Sequence, residues 1–133
     1  MKAVFADTYY WLALINPRDH AHQEALTLSK SLSEPLVTSI WVLTEVADAM
    51  RDPANRPAFV KLMSDITGDP QTTLVPAEQK LFERGIALYA TRLDKKWSLT
   101  DCISFVIMQD LGITDALTGD GDFVQAGFRK LMA

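Results

Sequence analysis

The chain is poor in the residues that make covalent or metal staples. Among its 133 residues there is one cysteine, Cys102, and there are two histidines, His20 and His22. A lone thiol excludes an internal disulfide framework and any structural zinc site built on several cysteines, and it fits a reducing cytosol. His20 and His22 are two positions apart on a helical stretch, so they face different ways and make a poor ligand pair. Long apolar runs are also missing. None approaches the roughly 18 residues of a membrane span, and the first run is too short for a secretory h-region. A cytoplasmic protein with no membrane partner is expected. Positive charge is not in excess: 13 Lys and Arg stand against 17 Asp and Glu, a net charge of −4. That argues against phosphate binding over the whole surface and leaves a local basic patch open.

What is present is an ordinary globular composition, 48% hydrophobic and 23% charged. It suits one domain over residues 1–133, with no linker, repeat or low-complexity segment. Short apolar runs alternate with helical periodicity. Strands are expected at 2–6, 36–38, 72–75, 116–118 and, at an edge, 128–131. Helices are expected at 8–15, 20–32, 40–50, 58–66, 77–95 and 98–111, with a turn of helix at 123–126. In the long helix, Leu81, Ile86, Leu88, Tyr89 and Leu93 are read as mostly inward. Strands alternating with helices predict an α/β/α sandwich around a parallel sheet of about five strands.

Four acids then fall where such a sheet gathers its ligands. Asp7 ends the first strand, Asp120 follows the fourth, and Glu45 and Asp101 lie near the starts of intervening helices. Strand C-termini and following helix N-termini share one edge of an open parallel sheet, and ligands bind there. Each acid also has a plain structural reading. Asp7 can cap the helix that follows it. Ser98-Leu99-Thr100-Asp101 has capping-box spacing. Thr118-Gly119-Asp120-Gly121-Asp122 can be an Asx turn. Glu45 resists such a reading, because it sits among apolar and small residues without a cation at helical spacing. Four converging carboxylates call for a cation, and hard oxygen donors favour Mg²⁺ or Mn²⁺.

The ordered set Phe5-Ala6-Asp7-Thr8, Glu45, Ser98-Leu99-Thr100-Asp101-Cys102 and Leu117-Thr118-Gly119-Asp120-Gly121-Asp122-Phe123 resembles the PIN-domain ribonucleases, specifically the small VapC-type toxins. The resemblance covers essentially the whole chain. It implies that Asp7, Glu45, Asp101 and Asp120 bind one or two Mg²⁺ or Mn²⁺ ions, with Thr118 in a supporting hydroxyl position and Asp122 an accessory acid. It further implies RNA cleavage, a homodimer and a cognate antitoxin. Tyr9 departs from the pattern, since that position often carries a small hydroxyl or amide residue. Arg18, Arg92, Lys95, Lys96, Arg129 and Lys130 are candidates for guiding an RNA backbone.

Two other acidic-pocket folds fail on their own signatures. A response-regulator receiver needs an acid ending the middle strand, where Leu74-Val75-Pro76 stands; a haloacid-dehalogenase phosphatase needs Asp-x-Asp where Asp7-Thr8-Tyr9 stands. The alternative that survives is a catalytically silent PIN-like module that binds RNA or protein.

Overall fold

A computed structural model describes residues 2–133. Five strands, β1 (Val4–Ala6), β2 (Leu36–Ser39), β3 (Thr72–Val75), β4 (Asp115–Leu117) and β5 (Arg129–Lys130), form one sheet in the order β3-β2-β1-β4-β5. Every pairing is parallel. The helices are α1 (Thr8–Ile15), α2 (His22–Ser31), α3 (Ile40–Ala49), α4 (Arg56–Gly68), α5 (Gln79–Thr91), α6 (Leu99–Leu111) and α7 (Asp122–Gln125). The sheet runs from β1 outward to β3, then crosses back to β4 on the other side of β1. Right-handed crossovers therefore place α1–α4 on one face and α5–α7 on the other. The contacts agree, since α1 packs on α2, α3 and α4, while α6 packs on α5 and α7. This is the expected three-layer parallel sandwich.

The direction of connection reverses between β1 and β4, which makes the crevice at their C-terminal ends the switch point of the sheet. Phe5 and Ala6 of β1 pair with Ala116 and Leu117 of β4, so Asp7 and Thr118 leave the sheet side by side. The central strand is buried on both faces, as a parallel sheet covered by helices requires. The α5–α7 layer is closed by an aromatic chain in which Trp97, Phe123 and Phe128 each pack on Phe105.

Several elements differ from the sequence reading, and β1 begins at Val4 rather than at residue 2. Helix α2 starts at His22 because the Asp19 carboxylate accepts the Ala21 amide and holds a turn there. Helix α4 starts two residues early, with Pro57 in the first turn, where its missing N–H costs nothing. The inward reading of α5 is corrected. Leu81, Gly85 and Leu88 form its inner seam, and Gly85 meets Ile103 of α6 so closely that a Cβ would overlap it. That seam turns Phe82, Ile86 and Tyr89 outward, and Leu93 lies past the helix end, 88% exposed. The apolar and small neighbours of Glu45 do not make α3 wholly buried: it hides Val42, Leu43 and Val46, while Thr44 and Asp48 are exposed and Glu45 is half-buried.

Candidate active site

The crevice at the switch point is an open cleft lined by Asp7, Glu45, Asp101, Asp120 and Asp122, together with Thr8, Tyr9, Lys96 and Ser98. All four acids read as ligands and one of the two accessory residues therefore share one cleft. Thr118, the other, lies beneath them, fully buried.

Asp7 is 4% exposed. It occupies the N-cap position of α1, and its backbone carbonyl accepts the Tyr10 and Trp11 amides, but its side chain makes no capping bond. Instead, Asp7 Oδ2 accepts the Thr118 hydroxyl at 2.8 Å. The same hydroxyl oxygen accepts the Asp120 amide at 3.1 Å. Thr118 thus ties the end of β1 to the loop after β4. Burial pushes the Asp7 carboxyl up to about 6; the Thr118 hydroxyl pulls the other way, and the Glu45 and Asp120 charges add to the rise.

Asp101 combines two roles. Its amide donates to Ser98 Oγ at 3.0 Å and its Oδ2 accepts the Ser98 amide at 3.3 Å, so the capping box anticipated from sequence is formed. Burial, then the Asp7 and Asp120 charges, push its carboxyl up to about 7. Asp120 Oδ1 accepts the Asp122 amide at 2.9 Å, an Asx turn at the start of α7. The turn brings Asp122 inward, where burial and the Asp120 charge raise its carboxyl too. One carboxylate oxygen each from Asp101, Asp120 and Asp122 lies within 4.8 Å of the others. Asp7 and Glu45 line the same cleft outside this trio. Geometry therefore promotes Asp122 from an accessory to a member of the tightest acidic group.

Glu45 is held by Thr8, whose hydroxyl donates to Glu45 Oε1 at 2.6 Å. Sequence reasoning missed Thr8 as a site residue. The available signal was a hydroxyl directly after Asp7, at the first position of a helix that packs on α3. The basic candidates separate as well. Arg92 is committed to Asp94 and stacks over Trp97, and Arg129 is paired with Asp115. Lys96 lines the cleft and, among the described residues, makes no ion pair. His20 is exposed, while His22 Nδ1 bonds the Ala13 carbonyl and joins α2 to α1. No helix of the described residues is long and apolar enough to cross a membrane.

No family model matches the chain. It is 31% identical over 126 residues, 94% of its length and 95% of the relative's, to the 23S rRNA-specific endonuclease VapC20 of Mycobacterium tuberculosis. The crystal structure of that protein, described as a sarcin–ricin loop cleaving toxin, superposes with a TM-score of 0.89 at 28% identity, covering 98% of this chain and 99% of the other. FitAcB from Neisseria gonorrhoeae shares the fold, with a TM-score of 0.66 at 15% identity over 96% of this chain and 95% of that one. With a cleft of acids at its switch point and this relationship along nearly all its length, the chain belongs to the VapC-type toxins, the PIN-domain endoribonucleases.

Proposed function

We propose that this chain hydrolyses RNA phosphodiester bonds in a Mg²⁺- or Mn²⁺-dependent reaction. The observation that carries the metal dependence is the forced proximity of acids. The Asp7 and Asp101 carboxyls are pushed to about 6 and about 7 by burial and by neighbouring carboxylates of the cleft, a cost that a divalent cation relieves. The donor set fits a hard cation, being carboxylate oxygen throughout, and no histidine or cysteine lines the cleft among the described residues. Asp7, Glu45, Asp101 and Asp120, joined by Asp122, would hold the metal. Bound there, Mg²⁺ or Mn²⁺ supplies charge neutralisation at the phosphoryl oxygens and a lowered pKa for water.

The chain's own contribution is alignment. The Thr118 hydroxyl orients Asp7 and the Asp120 loop together, Thr8 orients Glu45, and the Ser98 cap fixes Asp101 on a buried helix. Lys96, on the cleft wall and without an ion pair among the described residues, meets the incoming phosphate backbone. The sarcin–ricin loop of 23S rRNA, on which VapC20 acts, is the first substrate to try. A cognate antitoxin is the expected protein partner. A second copy of the chain is the occupant we assign to the outer face of α5, where Phe82, Ile86 and Tyr89 lie on one stripe.

The test is cleavage of the sarcin–ricin hairpin in Mn²⁺ by the parent and by Asp7→Asn, each with an EDTA control. Asparagine keeps an acceptor for Thr118 and removes the charge. Cleavage by the parent alone, abolished by EDTA, is expected. Equal cleavage by both proteins, or by the parent in EDTA, overturns the proposal, and a folded parent that binds RNA without cutting it favours the silent-module alternative.

A further inference from the structure

The wall of the cleft beside Asp120 is aromatic, and it is built from a residue that departs from the family pattern. Tyr9 lines the cleft and its ring rests on Gly119. A Cβ at Gly119 would come within 2.5 Å of the Tyr9 ring and 2.8 Å of the Ala133 carbonyl, so the close approach depends on glycine. The Tyr9 hydroxyl is hydrogen-bonded to His20 Nε2 at 3.1 Å. The imidazole stands at 89° to the phenol ring, with centroids 6.1 Å apart, and the His20 side chain is 82% exposed. Two rings at a right angle, Tyr9 in the cleft lining and His20 open to solvent at its hydroxyl end, make a corner at the edge of the cleft.

Tyr9 packs partly against the core, but the fold does not need its partner in the corner. His20 contributes nothing to the core, and the inter-helix tether is made by His22. The acids cannot attract RNA themselves, because a carboxylate cleft repels phosphates until a cation binds. Beyond what a bound cation supplies, affinity comes from the walls, where Lys96 offers charge and Tyr9, with His20 at its outer edge, offers ring surface. Proteins that recognise unpaired nucleotides stack splayed bases on aromatic side chains, a contact that tolerates any base.

Resting on the ribonuclease reading, we propose that Tyr9 and His20 form a nucleobase platform: an unpaired base next to the scissile phosphodiester stacks in their corner and positions the backbone over the acids. Tyr9 is a positioning residue, held by His20 and Gly119, and takes no part in bond breaking.

The test uses the sarcin–ricin hairpin in saturating Mn²⁺. In Tyr9→Leu, KM is expected to rise about tenfold, the size of one lost base–aromatic stack, and to account for most of the fall in kcat/KM. Tyr9→Trp recovers most of the lost affinity. His20→Ala, at an exposed position that leaves packing intact, raises KM about threefold. Abasic substitution of the nucleotides flanking the cut should weaken the parent at one position, with no further penalty in Tyr9→Leu. Unchanged KM in the variants, or equal abasic penalties in parent and Tyr9→Leu, overturns the platform. If Tyr9→Leu loses its fold by circular dichroism, unchanged KM in His20→Ala overturns it alone. A parent that cuts no RNA overturns the ribonuclease reading and the platform together, whereas an active parent with these negative results overturns only the platform.

Discussion

The Thr118 hydroxyl donates to Asp7 Oδ2 at 2.8 Å, joining residues 111 positions apart. Because the same oxygen accepts the Asp120 amide, one side chain sets the separation of two proposed ligands. Valine at this position keeps the shape, removes the hydroxyl from a fully buried place and takes a partner from the buried Asp7 carboxylate and the half-buried Asp120 amide. Thr118→Val is expected to cost about 1–3 kcal/mol in urea unfolding and to weaken Mn²⁺ binding as followed by calorimetry. An unchanged midpoint and affinity would show that the bridge is idle.

Thr8 plays the matching part for Glu45 at 2.6 Å. Thr8→Val frees the carboxylate to rotate away from the cleft. Cleavage in Mn²⁺ should drop about tenfold or more, while stability changes little because Thr8 and Glu45 are both half-buried. Thr8→Ser should restore most of the rate.

The acids give the metal-free protein a definite pH dependence. Asp7 at about 6 and Asp101 at about 7 both lie above the ordinary 3.8 of the unfolded chain. Between pH 3.8 and about 7 the folded state therefore binds more protons than the unfolded state, and stability falls as pH rises through that window. The surface carboxylates of Asp94, Asp110 and Asp115 are shifted downward by arginine partners, so their contribution changes at lower pH. In EDTA, the melting temperature should be lower at pH 8 than at pH 5.5. Saturating Mg²⁺ should restore it at pH 8 by ligand linkage. A melting temperature that is flat with pH and indifferent to Mg²⁺ would contradict the acidic site.

Gly85 lets α5 approach α6. Alanine there gains up to about 1 kcal/mol of helix propensity, but its Cβ overlaps Ile103, which is fully buried and cannot move aside. Gly85→Ala should lose about 1–3 kcal/mol net in denaturant melts. Gly68→Ala, at a position open to solvent, is the control and should be neutral or slightly stabilising.

The outer stripe of α5 should govern association. Ile86→Glu with Tyr89→Glu is expected to turn a dimer into a monomer by light scattering, with the fold retained because both positions are exposed. A parent that is already monomeric at high concentration would refute the dimer face.

Much of the fold was legible because its signals are local. Runs such as Val4-Phe5-Ala6 and the helical period of residues 99–111 report burial within a few residues, and Gly112 ends α6 in the left-handed conformation that glycine favours. The parallel sheet followed from the alternation of strands and helices. The acids were visible as types at an edge, but their grouping was not. Capping boxes and Asx turns are local motifs, so Ser98–Asp101 and Asp120–Asp122 could be anticipated. Which oxygen stays free could not, because that depends on Thr8 and Thr118 arriving from other elements.

By itself, then, the chain's sequence determined an α/β sandwich, a carboxylate-rich edge and membership of a ribonuclease family, since these rest on residue type, period and order. Tertiary structure decided that Asp122 joins Asp101 and Asp120, that α5 turns Ile86 and Tyr89 outward, and that Tyr9 of the cleft meets His20 at a right angle. The physical reason is the same in each case. Periodicity names a helix face but not its rotation against a neighbour, and the hydroxyls that aim a carboxylate come from strands and helices far apart in the chain.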